Sequence, residues 1–229
     1  MSGGTPAASS SLRAALSYCV RQVRAYDYHH YLCLLHLAPA MRKAAFTFRA
    51  FNIETARAMD VVSDPRTCLM RLLWWKEAVD KVFGNKLVEH PVAQALSSVI
   101  ADHKVSKHWL KRSVEARIND ANREEGTIPG TSAELERSEV RAGKRLPDAV
   151  FKVASVAEAH LHKARELASS VPKEAIPVLL PALPAQVLLD TLRRCEFNVF
   201  DPRLSRGVHG VSPLWYQLKL NWNAWRSRY

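Results

Sequence analysis

Two carboxylates with helical spacing are the clearest sign of chemistry in this sequence. Asp60 and Asp64 stand at positions i and i+4 of the segment DVVSD, so on a helix both would point from one face. Carboxylate oxygens held in this way are suited to Mg²⁺. Asp64 also stands directly before Pro65, the arrangement of a helix N-cap followed by a proline in the first turn. Both interpretations, a metal pair and a helix cap, are open at the level of sequence.

The end of the chain carries a second pattern, an aromatic stripe at helical spacing. The stripe consists of Trp215, Leu218, Trp222, Trp225 and Tyr229, with Lys219, Arg226 and Arg228 elsewhere on the same helix. Indole rings favour the headgroup boundary of a bilayer and cations favour anionic lipid, so a membrane-surface or partner-docking helix is one interpretation. The other interpretation is that the stripe closes the core of the domain.

The charge balance restricts the partners without choosing one. The net charge is +11 and no acidic residue follows Asp201. Such a surface attracts nucleic acid, anionic membranes, diphosphates or acidic proteins. Charge is the only feature that would support nucleic-acid binding, so we expect none. No apolar run is long enough to predict a transmembrane helix.

The thiols and imidazoles do not form a recognised motif. The nine histidines have no cysteine or acid at a metal-ligand spacing, and no Gly-rich phosphate loop or Gly-x-Ser-x-Gly segment occurs. Nucleophilic catalysis therefore has no support. Reduced, mostly buried thiols are predicted for Cys19, Cys33, Cys68 and Cys195.

Prolines mark the starts of the helices that must position these residues. Helix starts are predicted at Pro39, Pro65, Pro91, Pro147 and Pro213. Gly84 supplies a helix stop, and the helix from Pro147 has an apolar face that includes Val153 and Leu167. Strand signals are nearly absent, so the sequence predicts an all-α fold.

Two segments flank or interrupt the predicted helices. Residues 1–11 read as a flexible N-terminus or presequence remnant, since no acid precedes Asp27. Residues 119–145 are rich in charge, Gly and Pro and read as a polar linker. The organisation predicted from this is a single helical domain over residues 12–229.

Three stretches carry a family resemblance. They are RAFNIE at 49–54, MRLLWWK at 70–76 and DAVFKVAS at 148–155. Their order resembles that of squalene/phytoene synthase-like domains. Their amino-acid sequences are closer to the branch of mitochondrial complex I assembly factors than to the catalytic synthases. The resemblance implies a single helical bundle of the isoprenoid synthase type. It also implies that family helices, including the one with the second aspartate-rich motif, are missing from the middle and replaced by the linker.

The resemblance bears on catalysis as well. Anchored on Ala50-Phe51, the ends of the family's first aspartate-rich motif fall on Ala56 and Asp60, with Arg57 where a further acid is common. We therefore expect a non-enzyme with no cofactor and no small-molecule substrate. The alternative is a Mg²⁺-dependent prenyl transferase, for which Asp60 and Asp64 are the metal candidates. A remnant lipid cavity, or ordinary core packing, is predicted for Phe46, Phe48, Phe51 and Met59.

A function follows from the resemblance as an expectation. Members of the assembly-factor branch act in the biogenesis of respiratory complex I. For this chain the resemblance implies a helical scaffold or chaperone that binds complex I subunits or assembly intermediates. It also implies peripheral association with the mitochondrial inner membrane on its matrix side.

Overall fold

A computed structural model describes residues 6–58, 64–122, 142–167, 170 and 178–226 of the chain. Its regular elements are helices, apart from one isolated bridge between Val208 and Val211. The predicted all-α fold class is confirmed. The helices of the described residues are α1 Pro6–Tyr26, α2 Tyr28–Leu34, α3 Pro39–Arg57, α4 Pro65–Phe83, α5 Pro91–Asp102, α6 Lys107–Ala121, α7 Ala142–Leu167, α8 Ala182–Arg194 and α9 Pro213–Trp225.

Most of the proline-marked helix starts are confirmed. Helices α3, α4, α5 and α9 each begin with a proline, whose fixed φ suits the first turn and whose missing N–H has no intrahelical partner there anyway. Asp64 caps α4 by accepting hydrogen bonds from the backbone N–H groups of Arg66 and Thr67. The cap interpretation of Asp64 is therefore confirmed.

The start predicted at Pro147 is wrong. Helix α7 begins at Ala142 and Pro147 lies inside it. The proline ring holds φ near a helical value, so it removes one backbone hydrogen bond without ending the helix. The predicted linker at 119–145 is consequently shorter at both ends, because α6 continues to Ala121 and α7 begins at Ala142. The rest of that linker lies outside the described residues.

At the N-terminus, α1 starts earlier than the sequence suggested. Residues 6–11, predicted to be flexible or a presequence remnant, belong to the helix. Its buried side includes Ala15, Cys19 and Val23. Removal of a presequence stays a prediction.

Packing divides the chain into two compact units. The first contains α1 and α3 to α6, in which α1 packs against α3 and α5, and α4 packs against α6. Its core combines aliphatic residues with a few buried aromatic rings, and the burial of this apolar surface is the main source of stability. The prediction of a single domain over 12–229 concerns both units together and stays a prediction. The most deeply buried core residues of the first unit include Val23, Leu72, Val79, Val92, Leu96, Val99 and Val114.

The second unit contains α7, α8, α9 and the short segment 32–37. Tyr216 of α9 is fully buried at its centre, and the Sγ atom of Cys33 lies 3.7 Å from the Tyr216 hydroxyl. The buried cluster consists of Cys33, Leu180, Leu183, Val187, Val208, Tyr216 and Leu220.

A tight turn at residues 208–211 precedes α9 within this unit. Val208 and Val211 pair across it, and Gly210 has a φ of 87°. A Cβ atom at Gly210 would lie 2.5 Å from Cγ2 of Thr191 on α8. Glycine is required here both by its left-handed backbone and by this close approach. The turn thereby fixes where α9 meets the second unit's core.

Candidate functional site

The end of α3 holds the residues that the sequence aligned with an aspartate-rich motif. Ala56 and Arg57 occupy the last turn of this helix. Asp60, the other end of the aligned motif, lies outside the described residues. Asp64 is exposed at the N-cap of α4, where Thr67 Oγ1 also donates to its Oδ2 over 2.7 Å. These hydrogen bonds hold the pKa of Asp64 below its usual value.

A pocket of about 600 Å³ opens beside this end of α3, inside the first unit. One wall comes from the last turns of α3, a second from one face of α4, and the remainder from the residue that precedes α5. A volume in this range is typical of sites for small ligands. The lining residues are Glu54, Arg57, Ala58, Thr67, Met70, Arg71, Trp74, Trp75 and His90.

The charged side chains of this pocket differ in their partners. Glu54 accepts a 2.8 Å hydrogen bond from the hydroxyl of Tyr18, and burial together with this carboxylate raises the pKa of Tyr18 to about 12. The guanidinium carbon of Arg57 lies 3.5 Å from the centre of the Tyr26 ring. Among the described residues, neither Arg57 nor Arg71 forms an ion pair.

His90 forms the aromatic end of the pocket. Its Nδ1 atom accepts the backbone N–H of Val92 over 3.2 Å and so caps α5. Burial lowers the pKa of His90, and an acceptor at Nδ1 requires the neutral ring. Trp75 packs edge-on against the His90 ring, with 4.9 Å between centroids. His90 therefore lines the pocket as a neutral ring at neutral pH.

Among its described lining residues, the pocket has fewer oxygen ligands than Mg²⁺ usually takes. Hard divalent cations need several oxygen ligands, mostly carboxylates and water. Glu54 is the one carboxylate among the described lining residues, whereas Arg57 and Arg71 bring two positive charges to the same walls. Within the described part of the chain, no group of three or more His, Cys, Asp or Glu side chains is arranged to hold a metal ion.

The aromatic residues predicted to line a lipid cavity lie elsewhere in the first unit. Phe46 and Phe51 are buried and Phe48 is half-buried. None of the three lines the pocket, although Phe51 packs edge-on behind its wall residue Trp75, with 5.4 Å between centroids. Met59 lies outside the described residues. The spacing of aromatic residues did not predict this pocket, because the pocket forms only where particular faces of α3 and α4 meet.

A second polar group that the sequence did not reveal connects α1, α2 and α3. Asp27 follows the last residue of α1 and accepts hydrogen bonds from Nδ1 of His30, at 2.7 Å, and from Nε of Arg49. Burial disfavours the charged carboxylate, but His30 and Arg49 outweigh it, so the pKa of Asp27 is lowered. This ion-paired group fixes the corner between α1 and α3.

Replacing Asp27 with asparagine is expected to remove about 1.5–3 kcal/mol from the free energy of unfolding at pH 7, the usual range for hydrogen bonds to charged groups. Because folding lowers the pKa of Asp27, its contribution is present above the usual value of 3.8 and is lost as the pH falls through the folded-state pKa. Urea unfolding at pH 7, 5 and 3 measures the difference, which should shrink in acid.

The matched control for this prediction is Asp102→Asn. Asp102 also pairs with a cation, Lys43, over 2.7 Å, but its side chain is 54% exposed. Solvent screens such pairs, so a much smaller change is expected. A loss at Asp27 that stays constant from pH 7 to pH 3 would contradict the assignment.

Helix α9 presents its aromatic stripe to solvent. Trp215, Leu218, Trp222 and Trp225 are between 47% and 76% exposed, whereas Tyr216 on the opposite face is fully buried. Lys219 Nζ lies 4.9 Å from the Trp215 ring centre, and Arg226 lies 4.3 Å from that of Trp222. The stripe therefore does not close the core of the second unit. Arg228 and Tyr229 lie outside the described residues.

The helices and the site define an all-α protein whose third and fourth helices carry the RAFNIE and MRLLWWK segments. The chain belongs to the squalene/phytoene synthase family, whose model matches residues 23–137 and 130–209. No helix among the described residues is long and apolar enough to span a membrane.

Curated relatives match nearly the whole chain. A protein of Bos taurus named NADH dehydrogenase (ubiquinone) complex I, assembly factor 6 is 27% identical over 297 positions, covering 100% of this chain and 88% of the relative. The Homo sapiens protein of that name is 25% identical over 282 positions, covering 93% and 82%. A Drosophila melanogaster homolog is 27% identical over 254 positions, covering 79% and 76%. No solved structure matches at a significant level.

The alignment with the Bos taurus protein is longer than this chain. It runs over 297 positions, whereas the chain has 229 residues. The relative therefore carries residues that have no counterpart here. The family model also matches in two stretches that meet near residues 130–137. The missing middle helices that the resemblance implied stay a prediction.

Proposed function

We propose that this chain is a non-catalytic assembly factor for mitochondrial respiratory complex I, acting as a helical scaffold or chaperone. The observation that carries the proposal is the similarity to proteins named complex I assembly factor 6 across most of both sequences. The clients in this proposal are complex I subunits or assembly intermediates. Its location is the matrix side of the mitochondrial inner membrane.

The composition of the pocket beside α3 supports a non-enzymatic role. Departure of a diphosphate in prenyl transfer needs several Mg²⁺ ions, each held by carboxylates. The described lining of the pocket includes Arg57, Arg71 and one carboxylate, and Asp64 is engaged as a helix cap. The alternative, a Mg²⁺-dependent prenyl transferase, has the family membership in its favour and no matching set of acids among the described residues.

The exposed face of α9 supplies the proposed contact with the inner membrane. Its indole rings would lie at the headgroup boundary, and Lys219 and Arg226 would meet anionic lipid headgroups. The absence of any acid after Asp201 leaves this end of the chain uniformly basic.

Two carboxylate substitutions distinguish the assembly role from the enzyme. In cells that lack their own assembly factor 6, the matrix-targeted chain is expected to restore complex I, measured on native gels and by NADH oxidation. The double variant Asp60→Asn with Asp64→Asn should restore it equally well. Asparagine caps helices as well as aspartate does, so this variant removes the metal candidates while it preserves the start of α4.

The prenyl-transferase alternative makes the opposite prediction. It requires Mg²⁺-dependent release of pyrophosphate from isoprenyl diphosphates by the purified chain, and loss of both release and rescue in the double variant. We expect no release. Turnover that the double variant abolishes would overturn the proposal, as would failure of the unaltered, stably expressed chain to restore complex I.

A further inference from the structure

Among its described lining residues, the pocket beside α3 carries more positive than negative charge. Arg57 and Arg71 contribute two positive charges, and Glu54 contributes one negative charge that is already engaged by the Tyr18 hydroxyl. His90 is neutral because its Nδ1 atom accepts a backbone N–H. The balance among the lining residues is therefore one positive charge, carried by side chains that form no ion pair within the described chain.

Both guanidinium groups belong to side chains that line the pocket. Arg57 lies over the face of Tyr26, and a stacked guanidinium keeps its in-plane N–H donors available for a carboxylate or phosphate. Arg71 is exposed on α4, one turn before Trp74 and Trp75. Guanidinium groups bind such oxyanions with paired hydrogen bonds, which are stronger than neutral ones.

The other side of the pocket is apolar. Met70 and Trp74 are 62% and 40% exposed at its wall, and Trp75 and Ala58 form its floor as buried residues. Exposed methionine and indole side chains beside a cationic edge are suited to an alkyl chain whose headgroup is charged. Charge and apolar wall thus lie within one cavity of about 600 Å³.

We propose that this pocket binds a small monoanionic amphiphile, with its headgroup on Arg57 and Arg71 and its alkyl chain against Met70 and Trp74, without a metal ion. A single excess positive charge matches a carboxylate or a phosphodiester. It does not match a diphosphate, which carries more negative charge than the two arginines can offset while Glu54 is ionised. The headgroup chemistry is shared by a fatty acid and by an anionic phospholipid.

Calorimetric titration of the whole chain with three probes tests the proposal. The metal-free titrations contain EDTA, the titration of pyrophosphate with Mg²⁺ omits it, and both amphiphiles are kept below their micelle concentrations. The probes are dodecanoate, dihexanoyl-phosphatidylglycerol and inorganic pyrophosphate. Either or both amphiphiles should bind, and which of them binds more tightly distinguishes a fatty acid from a phospholipid. Pyrophosphate should bind at least tenfold more weakly than the better amphiphile, with or without Mg²⁺.

Charge-removing variants assign the binding to this pocket. Arg71→Gln changes an exposed side chain, so the fold should persist, and the dissociation constant of the better amphiphile should rise at least tenfold. Arg57→Gln should act in the same direction. The matched control is Arg112→Gln, because Arg112 lies 5.4 Å from the exposed Trp109 ring but lines no described pocket. It should leave the dissociation constant unchanged.

Three results would overturn the proposal. The first is the absence of binding by both amphiphiles. The second is equal weakening by Arg71→Gln and Arg112→Gln, which would indicate non-specific attraction to a basic protein. The third is tighter binding of pyrophosphate with Mg²⁺ than of either amphiphile. Failure of these tests leaves the assembly role intact, because rescue of complex I is measured independently of the ligand.

Discussion

The variant Tyr216→Ala is expected to lose about 3–5 kcal/mol of unfolding free energy in the second unit, the usual cost of deleting a large buried ring. Tyr216 is fully buried among Leu180, Leu183 and Val187, so the substitution removes apolar contacts and leaves a cavity. Its neighbour Trp215 is 47% exposed on the opposite face of α9. Trp215→Ala should change the unfolding free energy by less than about 0.5 kcal/mol, as is usual for surface sites.

Urea unfolding, followed by near-ultraviolet circular dichroism, measures both variants. Tyr216→Phe is the second control, since it keeps the ring and removes only the hydroxyl that lies 3.7 Å from Cys33 Sγ. It should cost far less than Tyr216→Ala. Equal effects of the alanine variants at 215 and 216 would mean that α9 does not pack as described.

The second large effect is expected on membrane binding. Replacing Trp222 and Trp225 together with serine should weaken binding to vesicles that contain anionic lipid by at least about tenfold. The two indoles are 54% and 76% exposed, and partial immersion of each ring is worth roughly 1 kcal/mol on the scale of apolar area burial. Sedimentation with vesicles at constant ionic strength measures the partition coefficient.

Trp109→Ser is the matched control for this experiment. Trp109 is 63% exposed on α6 and has its own nearby cation, Arg112, but it lies outside the aromatic face of α9. We expect its loss to leave vesicle binding unchanged. If the chain ignores vesicles but its α9 variants fail to restore complex I, the aromatic face is a protein-docking surface and the membrane proposal is wrong.

Local sequence signals predicted helix starts well. The starts of α4 and α9 depend on a few consecutive residues. Asp64 caps α4 before Pro65, whereas α9 begins at Pro213 and the Ser212 side chain makes no cap hydrogen bond. Pro147 misled the prediction for the same reason. The local rule recognises a proline that can begin a helix, and it cannot show that upstream residues extend that helix.

Which face of a helix is buried was harder to predict. On α9, the stripe of Trp215, Leu218 and Trp222 and the pair Tyr216 and Leu220 both have helical spacing, and only the second is buried. On α7, Val153 and Leu167 of the predicted apolar face are 62% and 55% exposed. Periodicity reports that a helix has an apolar side, whereas the partner that covers this side is set by distant residues.

The pocket could not be found from sequence for a related reason. Arg57 and Arg71 belong to different helices, and their shared cavity exists only because α3 and α4 meet at this place. The resemblance predicted only that Arg57 stands where the family's first aspartate-rich motif commonly has an acid. That Arg57 shares a pocket with Arg71 and Trp74 required the structure.

The reactivity of the four cysteines can be used to measure local unfolding of this chain. All four are buried and unbridged, with Cys19 and Cys68 in the first unit and Cys33 and Cys195 in the second. Burial raises the pKa of Cys19 to about 12, which suppresses its reactive thiolate. Alkylation of the native chain therefore records transient exposure of each unit separately. The unit that takes up label faster while a client is bound is the one that loosens during assembly.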